Sequence, residues 1–418
     1  MADAMHGLAC AHGRGLHRNI ARPRVRIVVI VVHVMPSLAR TYGGPVAALA
    51  GYIAAGRVAG VNSVVVGPRP DADDTAWLRE TVPGTTLILT GRAGAGPWVA
   101  APALLRGLTR QLADAEIVHV HGLLNPVSSG AARVALRHRV PVVIGPFGTM
   151  SRYTFAHRRT AAKRLYFRLI DAPNLRRAAA IHFTTDAERD EARWHGIEFE
   201  ARAHVVPPPY RATAVPTGTR SRDAAAASVL FLGRLHPVKG VDLLLDAWPA
   251  IRAGHPTARL IIAGVGALRY EAELRARAAG LGLHAGSVTF AGFVRGAGKA
   301  SCLASAGVCV LPSRHENFGI SVLDAVAAGV PIVVTPGVQL APWIEAHAMG
   351  LVADRSASAV ADAVGRALND ADLRSRVERC GAAAVEADFA PQAGAPALRA
   401  MYDAAAATRR AGFGRSPE

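Results

Sequence analysis

Short aliphatic runs recur along the chain between longer stretches rich in Ala, Leu and Arg. RIVVIVV (26–32), VNSVVVG (61–67), EIVHVHG (116–122) and VPVVIG (140–145) are nearly free of polar interruption. Strands that are apolar on both faces are buried on both, as in a parallel sheet with helices above and below it. The same alternation restarts at SVLFLGRL (228–235) and continues through RLIIAGVG (259–266), SVTFAGFV (287–294), AGVCVLPS (306–313) and VPIVVTP (330–336). The pattern predicts an α/β protein with two doubly wound parallel-sheet units. Between them Pro207, Pro208, Pro209, Pro216 and Gly218 break both periodicities and predict a hinge. From about Ala359 onward the Ala-rich sequence reads as helices, with GFGRSPE as a frayed tail. The expected division is a basic leader (1–23), an N-terminal unit (24–205), a linker (206–228), a C-terminal unit (229–385) and a final helix with tail (386–418). Two such units facing each other enclose a cleft at the C-terminal ends of their strands, where open α/β sheets bind ligands.

Composition narrows the classes. The 418 residues include 48 Lys+Arg and 31 Asp+Glu, a net charge of +17, yet charged residues are only 19% and hydrophobic ones 51%. That excludes a disordered polybasic chain and supplies large cores. No aliphatic run approaches the roughly 18 to 20 residues of a membrane helix. Cys10, Cys302, Cys309 and Cys380 form no CxxC pair, so buried, reduced thiols are expected rather than a zinc site or a disulfide framework. Arg14, Arg18, Arg22, Arg24 and Arg26 precede an apolar run in the manner of a signal peptide, but His33-Val34-Met35-Pro36 follows instead of a small-residue cleavage site. We read a leader entering the first strand, and expect a cytoplasmic protein. The pI near 10.9 raises nucleic acid as a partner; with aromatics at 6% and no helix-turn-helix or zinc signature, no nucleic acid is expected.

Two segments carry chemistry. In RLHPVKG, Arg234 and Lys239 occupy a loop leaving a strand, flanked by Gly233 and Gly240; two cations there suit a diphosphate, and a solvated basic loop is the alternative. In PSRHENFGISVLDAVAAGVPIVVT, Pro312 and Ser313 end a strand and Asn317-Phe318-Gly319-Ile320 open a helix whose free amides could bind phosphate or sugar oxygens. Glu316 precedes that helix, and Asp324 lies about two turns into it. They read either as acids addressing one elongated ligand or as a dipole charge and a solvated acid. His119 and His121 share one face of VHVHG, with His121 at the strand's end.

Together these segments resemble glycosyltransferase family 4, the retaining GT-B sugar transferases, over nearly the whole chain from about Arg26 to Ala405. The family's Glu-x7-Glu stands here as Glu316-x7-Asp324. The resemblance implies a GT-B fold, two Rossmann-like doubly wound domains facing across a cleft, the first acceptor-side and the second nucleotide-sugar-binding. It implies that Glu316 contacts the donor sugar, that the backbone of Asn317, Phe318, Gly319 and Ile320 holds sugar and phosphate, and that Arg234 and Lys239 bind the diphosphate. Asp324 falls where a carboxylate binds the ribose, shorter by one methylene, about 1.5 Å. Gly264 and Gly266 match the turn near the nucleotide, and Phe293 and Val294 the place of the base. Gly43 and Gly44 match a Gly-Gly turn beside the diphosphate, or form a simple turn. His121 is expected at the donor sugar or reaction centre, with a structural histidine as the alternative; His119 is expected to be structural. The mechanism implied is front-face attack with the departing diphosphate taking the acceptor proton.

GPFGTMSRYTFAHRRTAAKRLYFRLID resembles the family's acceptor-side segment, with Phe147 where the family has Arg. Arg152, His157, Arg158, Arg159, Lys163, Arg164 and Arg168 cluster there beside Tyr166 and Phe167, suited to an anionic membrane or a phosphorylated acceptor, or simply solvated. Asp71-Ala72-Asp73-Asp74 imitates a metal-binding Asp-x-Asp, but no metal and no cofactor are expected, because cations and helix dipoles offset the leaving-group charge. The expected function is transfer of a sugar from a nucleoside-diphosphate sugar to a carbohydrate or lipid-linked acceptor, in bacterial surface-polysaccharide or glycolipid synthesis, with peripheral contact at the inner face of the cell membrane. The rivals are a GT-B-fold nucleotide-sugar epimerase and a degenerate nucleotide-sugar-binding protein; absence of GxGxxG after Val32 argues against a nicotinamide enzyme.

Overall fold

The computed structural model describes residues 29–91, 97–156, 159–212, 228–284 and 286–410. The predicted leader, Cys10, His157, Arg158, most of the linker and the terminal tail lie outside them. The first unit is a seven-stranded parallel sheet: β1 (Val29–Val34), β2 (Val61–Pro68), β3 (Thr86–Thr90), β4 (Ile117–His121), β5 (Val142–Gly145), β6 (Ala180–Phe183) and β7 (Ala203–Val205), in the order β3-β2-β1-β4-β5-β6-β7. The second is a six-stranded parallel sheet of β8 (Ser228–Leu232), β9 (Arg259–Ala263), β10 (Val288–Gly292), β11 (Val308–Leu311), β12 (Ile332–Val334) and β13 (Gly350–Val352), ordered β10-β9-β8-β11-β12-β13. In each sheet the strand order reverses once, between β1 and β4 and between β8 and β11. A crevice opens at such a reversal because the two crossovers leave on opposite faces.

All nine predicted strands are present. Four more, β3, β6, β7 and β13, were not anticipated. Three of these are four residues or shorter, and AIHF, AHV and GLV hold too few consecutive Val or Ile residues to stand out. The central strands are legible because burial on both faces demands uniform apolarity: β4, β5, β8 and β11 are buried at every residue. Cys302, Cys309 and Cys380 are free thiols, but only Cys309, in β11, is buried; Cys302 is partly buried and Cys380 is exposed on a helix, contrary to the expectation of buried thiols.

The Ala-rich C-terminal stretch forms helices Ala357–Asn369, Ala371–Phe389 and Pro391–Arg410. The expected boundary at 385/386 falls inside the second of these. The last helix packs on the first unit: Leu398, Met401, Tyr402 and Ala405 are buried with Val31, Tyr52 and Ile117. Arg399 donates to the carbonyl of Ala59 at 3.1 Å. The chain therefore passes between the units twice, once through the linker and once at Ala390. The crossings are tied together, since the Tyr210 amide donates to the carbonyl of Phe389.

Candidate active site

The site is assembled from loops at the C-terminal ends of β1, β8, β9 and β11. Gly43 precedes helix Gly44–Val58 with φ +86° and ψ −138°, a conformation that only glycine adopts without strain. Gly319 does the same for helix Ile320–Ala327 at φ +90°. These two helix starts face each other across the cleft: a Cβ on Gly44 would sit 3.7 Å from Cγ1 of Ile320. Two N-terminal ends, each with free amides and a partial positive charge, thus converge on one place.

Lys239 reaches the same region. Its loop is pinned to the end of β11, where Arg314 donates its amide to Val238 at 2.7 Å. Gly240 follows at φ +73°, and a Cβ there would meet the Pro312 carbonyl at 2.1 Å. The Lys239 ammonium contacts the Glu316 carboxylate in a half-buried ion pair. Burial, and then repulsion from Arg234, push Lys239 down to about 7. Arg234 is exposed and stands near enough to Tyr42 that its charge opposes the rise that burial imposes on that phenol.

The other expected donor residues divide into backbone and side-chain roles. Phe318 is buried in the second core with its ring edge-on to Phe389, so only its backbone can face a ligand. Asn317 reaches across the cleft and donates to Thr184 Oγ1 at 2.8 Å. Gly264 and Gly266 have a packing reason: added Cβ atoms would lie 1.8 Å from the Gly233 carbonyl and 2.0 Å from that of Leu235. Their loop thereby fixes the loop that carries Arg234. Phe293 is exposed and Val294 packs partly on the core. Asp324 is only 5% exposed, and its Oδ1 accepts from both the Tyr210 hydroxyl and Lys299 Nζ, the latter at 2.6 Å. Neither partner was anticipated; Tyr210 comes from the linker and Lys299 from helix Gly296–Ala304, far away in sequence.

On the first unit His121 is 3% exposed, its ring stacked between His119 at 4.3 Å and Phe147 at 5.2 Å. Phe147 holds this place at φ +49°, in the left-handed region. Next to it, the Glu188 carboxylate accepts from the Gly148 and Thr184 amides and the Thr184 hydroxyl. Burial raises its pKa, and those hydrogen bonds oppose the rise. The Asp-x-Asp stretch is a helix start: Asp71 accepts from the Asp74 amide at 2.7 Å, and Asp74 pairs with Arg40. In the basic segment Phe167 points into the core beside Phe155, contrary to the surface role expected for it. The exposed apolar residues there are Leu165 at 59% and Leu169 at 57%, flanked by exposed Arg164 and Arg168.

His33, His119, His121 and His182 are all buried beneath this site. Desolvation first, and then mutual repulsion, lower His33 to about 3 and hold His119 and His121 well below 6.5; burial lowers His182 to about 4 against the Val206 carbonyl. The unfolded chain therefore binds protons more readily than the native one. The histidines' contribution is complete above about pH 6.5 and drains as pH falls toward their folded values, by up to about 1.4 kcal/mol per pH unit for each. Asp171, raised to about 6 by burial, works in the opposite sense over roughly pH 4 to 6, and Glu188, also raised by burial, acts in the same direction as Asp171. Four histidines outweigh two carboxyls, so melting at pH 5 should occur well below that at pH 7.5. An equal or higher midpoint at pH 5 would contradict the neutral histidine cluster.

This architecture defines a GT-B transferase fold, and sequence comparison gives the family. Residues 43–209 match the family described as "Glycosyl transferase 4-like domain" and residues 226–370 the one described as "Glycosyl transferases group 1". The chain belongs to these family 4 glycosyltransferases. It is 38% identical over 161 residues to the phosphatidyl-myo-inositol mannosyltransferase of Mycobacterium leprae, covering 38% of this chain and 41% of that protein. It is 35% identical over 181 residues to a GDP-mannose-dependent alpha-(1-6)-phosphatidylinositol dimannoside mannosyltransferase of Mycobacterium tuberculosis, covering 43% and 45%. The chain thus spans less than half the length of these curated relatives. Among solved structures, Anabaena HepE in complex with UDP and glucose superposes with a TM-score of 0.71 at 17% identity, over 90% of this chain and 99% of that one. The sucrose-phosphate synthase of Thermosynechococcus elongatus gives 0.68 at 18%, over 90% and 98%.

Proposed function

We propose that this chain moves a sugar from a nucleoside-diphosphate sugar to an acceptor hydroxyl with retention at the anomeric carbon. The observation that carries the reading is the Lys239–Glu316 pair at the β8/β11 reversal, beside two facing helix starts. A diphosphate entering there exchanges the carboxylate on Lys239 for phosphate oxygens, and Arg234 and the amides near Gly319 share the charge. Released from Lys239, Glu316 is free to accept from sugar hydroxyls. The bond from the anomeric carbon to phosphate breaks while the bond to the acceptor oxygen forms on the same face, and the acceptor proton passes to the departing phosphate. His121 stands at the sugar from the first unit.

The relatives' names put GDP-mannose first among donors to test, and the HepE complex puts UDP-glucose next. Hydrolysis and transfer should be measured over GDP, UDP and ADP sugars, with the product's anomeric configuration read by NMR. Transfer with retention is the expected result. Sugar interconversion without transfer would instead indicate an epimerase, and nucleotide binding without turnover a degenerate site.

A lipid-linked acceptor fits the basic segment, and places the enzyme at an anionic membrane surface in glycolipid or surface-polysaccharide synthesis. Leu165 and Leu169 lie about one turn apart with Arg164 and Arg168 interleaved, so apolar insertion and charge attraction act on one face. Among the described residues no helix is long and apolar enough to cross a membrane, so contact would be peripheral. Replacing Leu165 and Leu169 together by Glu should abolish co-sedimentation with anionic vesicles and leave UDP binding unchanged. Equal sedimentation of wild type and variant would remove the membrane role.

A further inference from the structure

The buried histidines form a hydrogen-bonded set whose protons can be partly assigned. His33 on β1 and His119 on β4 are register partners, and His121 lies two residues further along the same face. A neutral imidazole has one donor and one acceptor nitrogen. His182 Nε2 lies 2.8 Å from the Val206 carbonyl, which only accepts, so Nε2 carries the proton and Nδ1 is bare. That bare nitrogen is 3.2 Å from His119 Nε2, which must therefore donate. His119 Nδ1 is left to accept from the Tyr402 hydroxyl at 2.9 Å. Both His119 nitrogens are thus committed. His33, His119 and His121 do place ligand atoms within 4.8 Å of one another, but a metal held by all three would have to break one of those bonds.

His121 has a different partner. Its Nε2 lies 3.1 Å from His33 Nδ1, and His33 Nε2 lies 3.4 Å from the Ser63 hydroxyl. The stacked rings of His119 and Phe147 restrict rotation of the His121 ring, and His33 takes its Nε2. Any hydrogen bond from the His121 ring to a sugar therefore uses Nδ1, and whether Nδ1 donates or accepts depends on how the shared proton sits between His33 and His121.

We propose that His33 is a positioning residue for sugar transfer, holding His121 in a single ring orientation and a single tautomer through the Nδ1 to Nε2 hydrogen bond. The proposal rests on the reading that His121 meets the donor sugar. It assigns a function to a histidine that is fully buried, and whose cost in acid stability is otherwise unrewarded.

The test compares His33→Leu, which removes the bond, with His33→Asn, whose amide reproduces an imidazole Nδ1. In wild type, nitrogen NMR with labelled histidine should show His121 with one protonated and one bare ring nitrogen, assigned through His121→Ala. In His33→Leu these two resonances should move toward a common average, and kcat should fall roughly a hundredfold, the scale of a small misplacement of a reacting group. Affinity for the nucleoside diphosphate of the best donor should not change. His33→Asn should recover the separated resonances and most of the turnover; it also serves if His33→Leu fails to fold. Separated resonances and normal kcat in His33→Leu, with His121→Ala inactive, would overturn the proposal. Normal turnover in His121→Ala would instead overturn the sugar-contact reading on which it rests.

Discussion

Lys239→Ala should lower turnover by about a hundredfold, about 2.7 kcal/mol of transition-state stabilisation. A surface lysine would have little effect, but this one is only 17% exposed and in contact with Glu316. As the sugar leaves, charge develops on the diphosphate, and a partly desolvated ammonium stabilises that charge more than water can. Its removal also leaves Glu316 without its cation, so a carboxylate would face the incoming phosphates. Donor binding should therefore weaken as well as kcat fall, and Lys239→Arg should restore binding better than it restores rate, because a planar fork does not replace a point charge. Steady-state kinetics with the best donor, together with titration of that donor's nucleoside diphosphate, separate the two effects. Unchanged turnover in Lys239→Ala would remove the diphosphate assignment.

The second large effect is structural. Gly240→Ala should destabilise the protein by about 3 kcal/mol or more, combining roughly 1 to 2 for a left-handed alanine with overpacking of similar size. The φ of +73° and the Pro312 carbonyl 2.1 Å from the new Cβ give two independent penalties at one residue. Because this glycine follows Lys239, the relief that the chain finds will move that ammonium, so donor affinity should fall even where the variant folds. Gly254→Ala is the control: no atom lies within 4 Å of its Cβ site, and its φ is not positive. It ends helix Val241–Gly254 and should be neutral or slightly stabilising. Denaturant midpoints for the pair measure the difference, and equal midpoints would mean that the loop yields at no cost.

Nine strands and the two-unit plan were readable because a sheet covered on both faces needs uninterrupted Val- and Ile-rich runs, which stand apart from the Ala-, Leu- and Arg-rich helical stretches between them. The loop residues were readable for a related reason: Arg234, Lys239, Gly240 and Gly319 sit at strand ends and helix starts, which local sequence marks. Tyr210, Lys299 and His182 were not readable. Their importance comes from partners on other elements, as with Tyr210 and Asp324, 114 positions apart, and His182 and His119, 63 apart. No local spacing encodes such pairs. Phe167 failed differently: the sequence reading placed it on a basic surface face, whereas it opens a π-helical turn, Phe167–Asp171, whose residue spacing departs from the 3.6 period assumed, and its ring packs in the core against Phe155.

The last helix has a consequence for the order in which the protein can be made. The first unit is synthesised first, yet part of its core is Leu398, Met401, Tyr402 and Ala405. Until residues 398–405 have left the ribosome, Val31, Tyr52 and Ile117 lack this cover, and His119 lacks the hydroxyl that it accepts from. The nascent first unit thus emerges with an apolar face open, and its completion waits for a segment made after the whole second unit. Premature stop codons before about Leu398 should therefore yield a first unit that aggregates or is degraded, and no half-enzyme should accumulate as a stable domain.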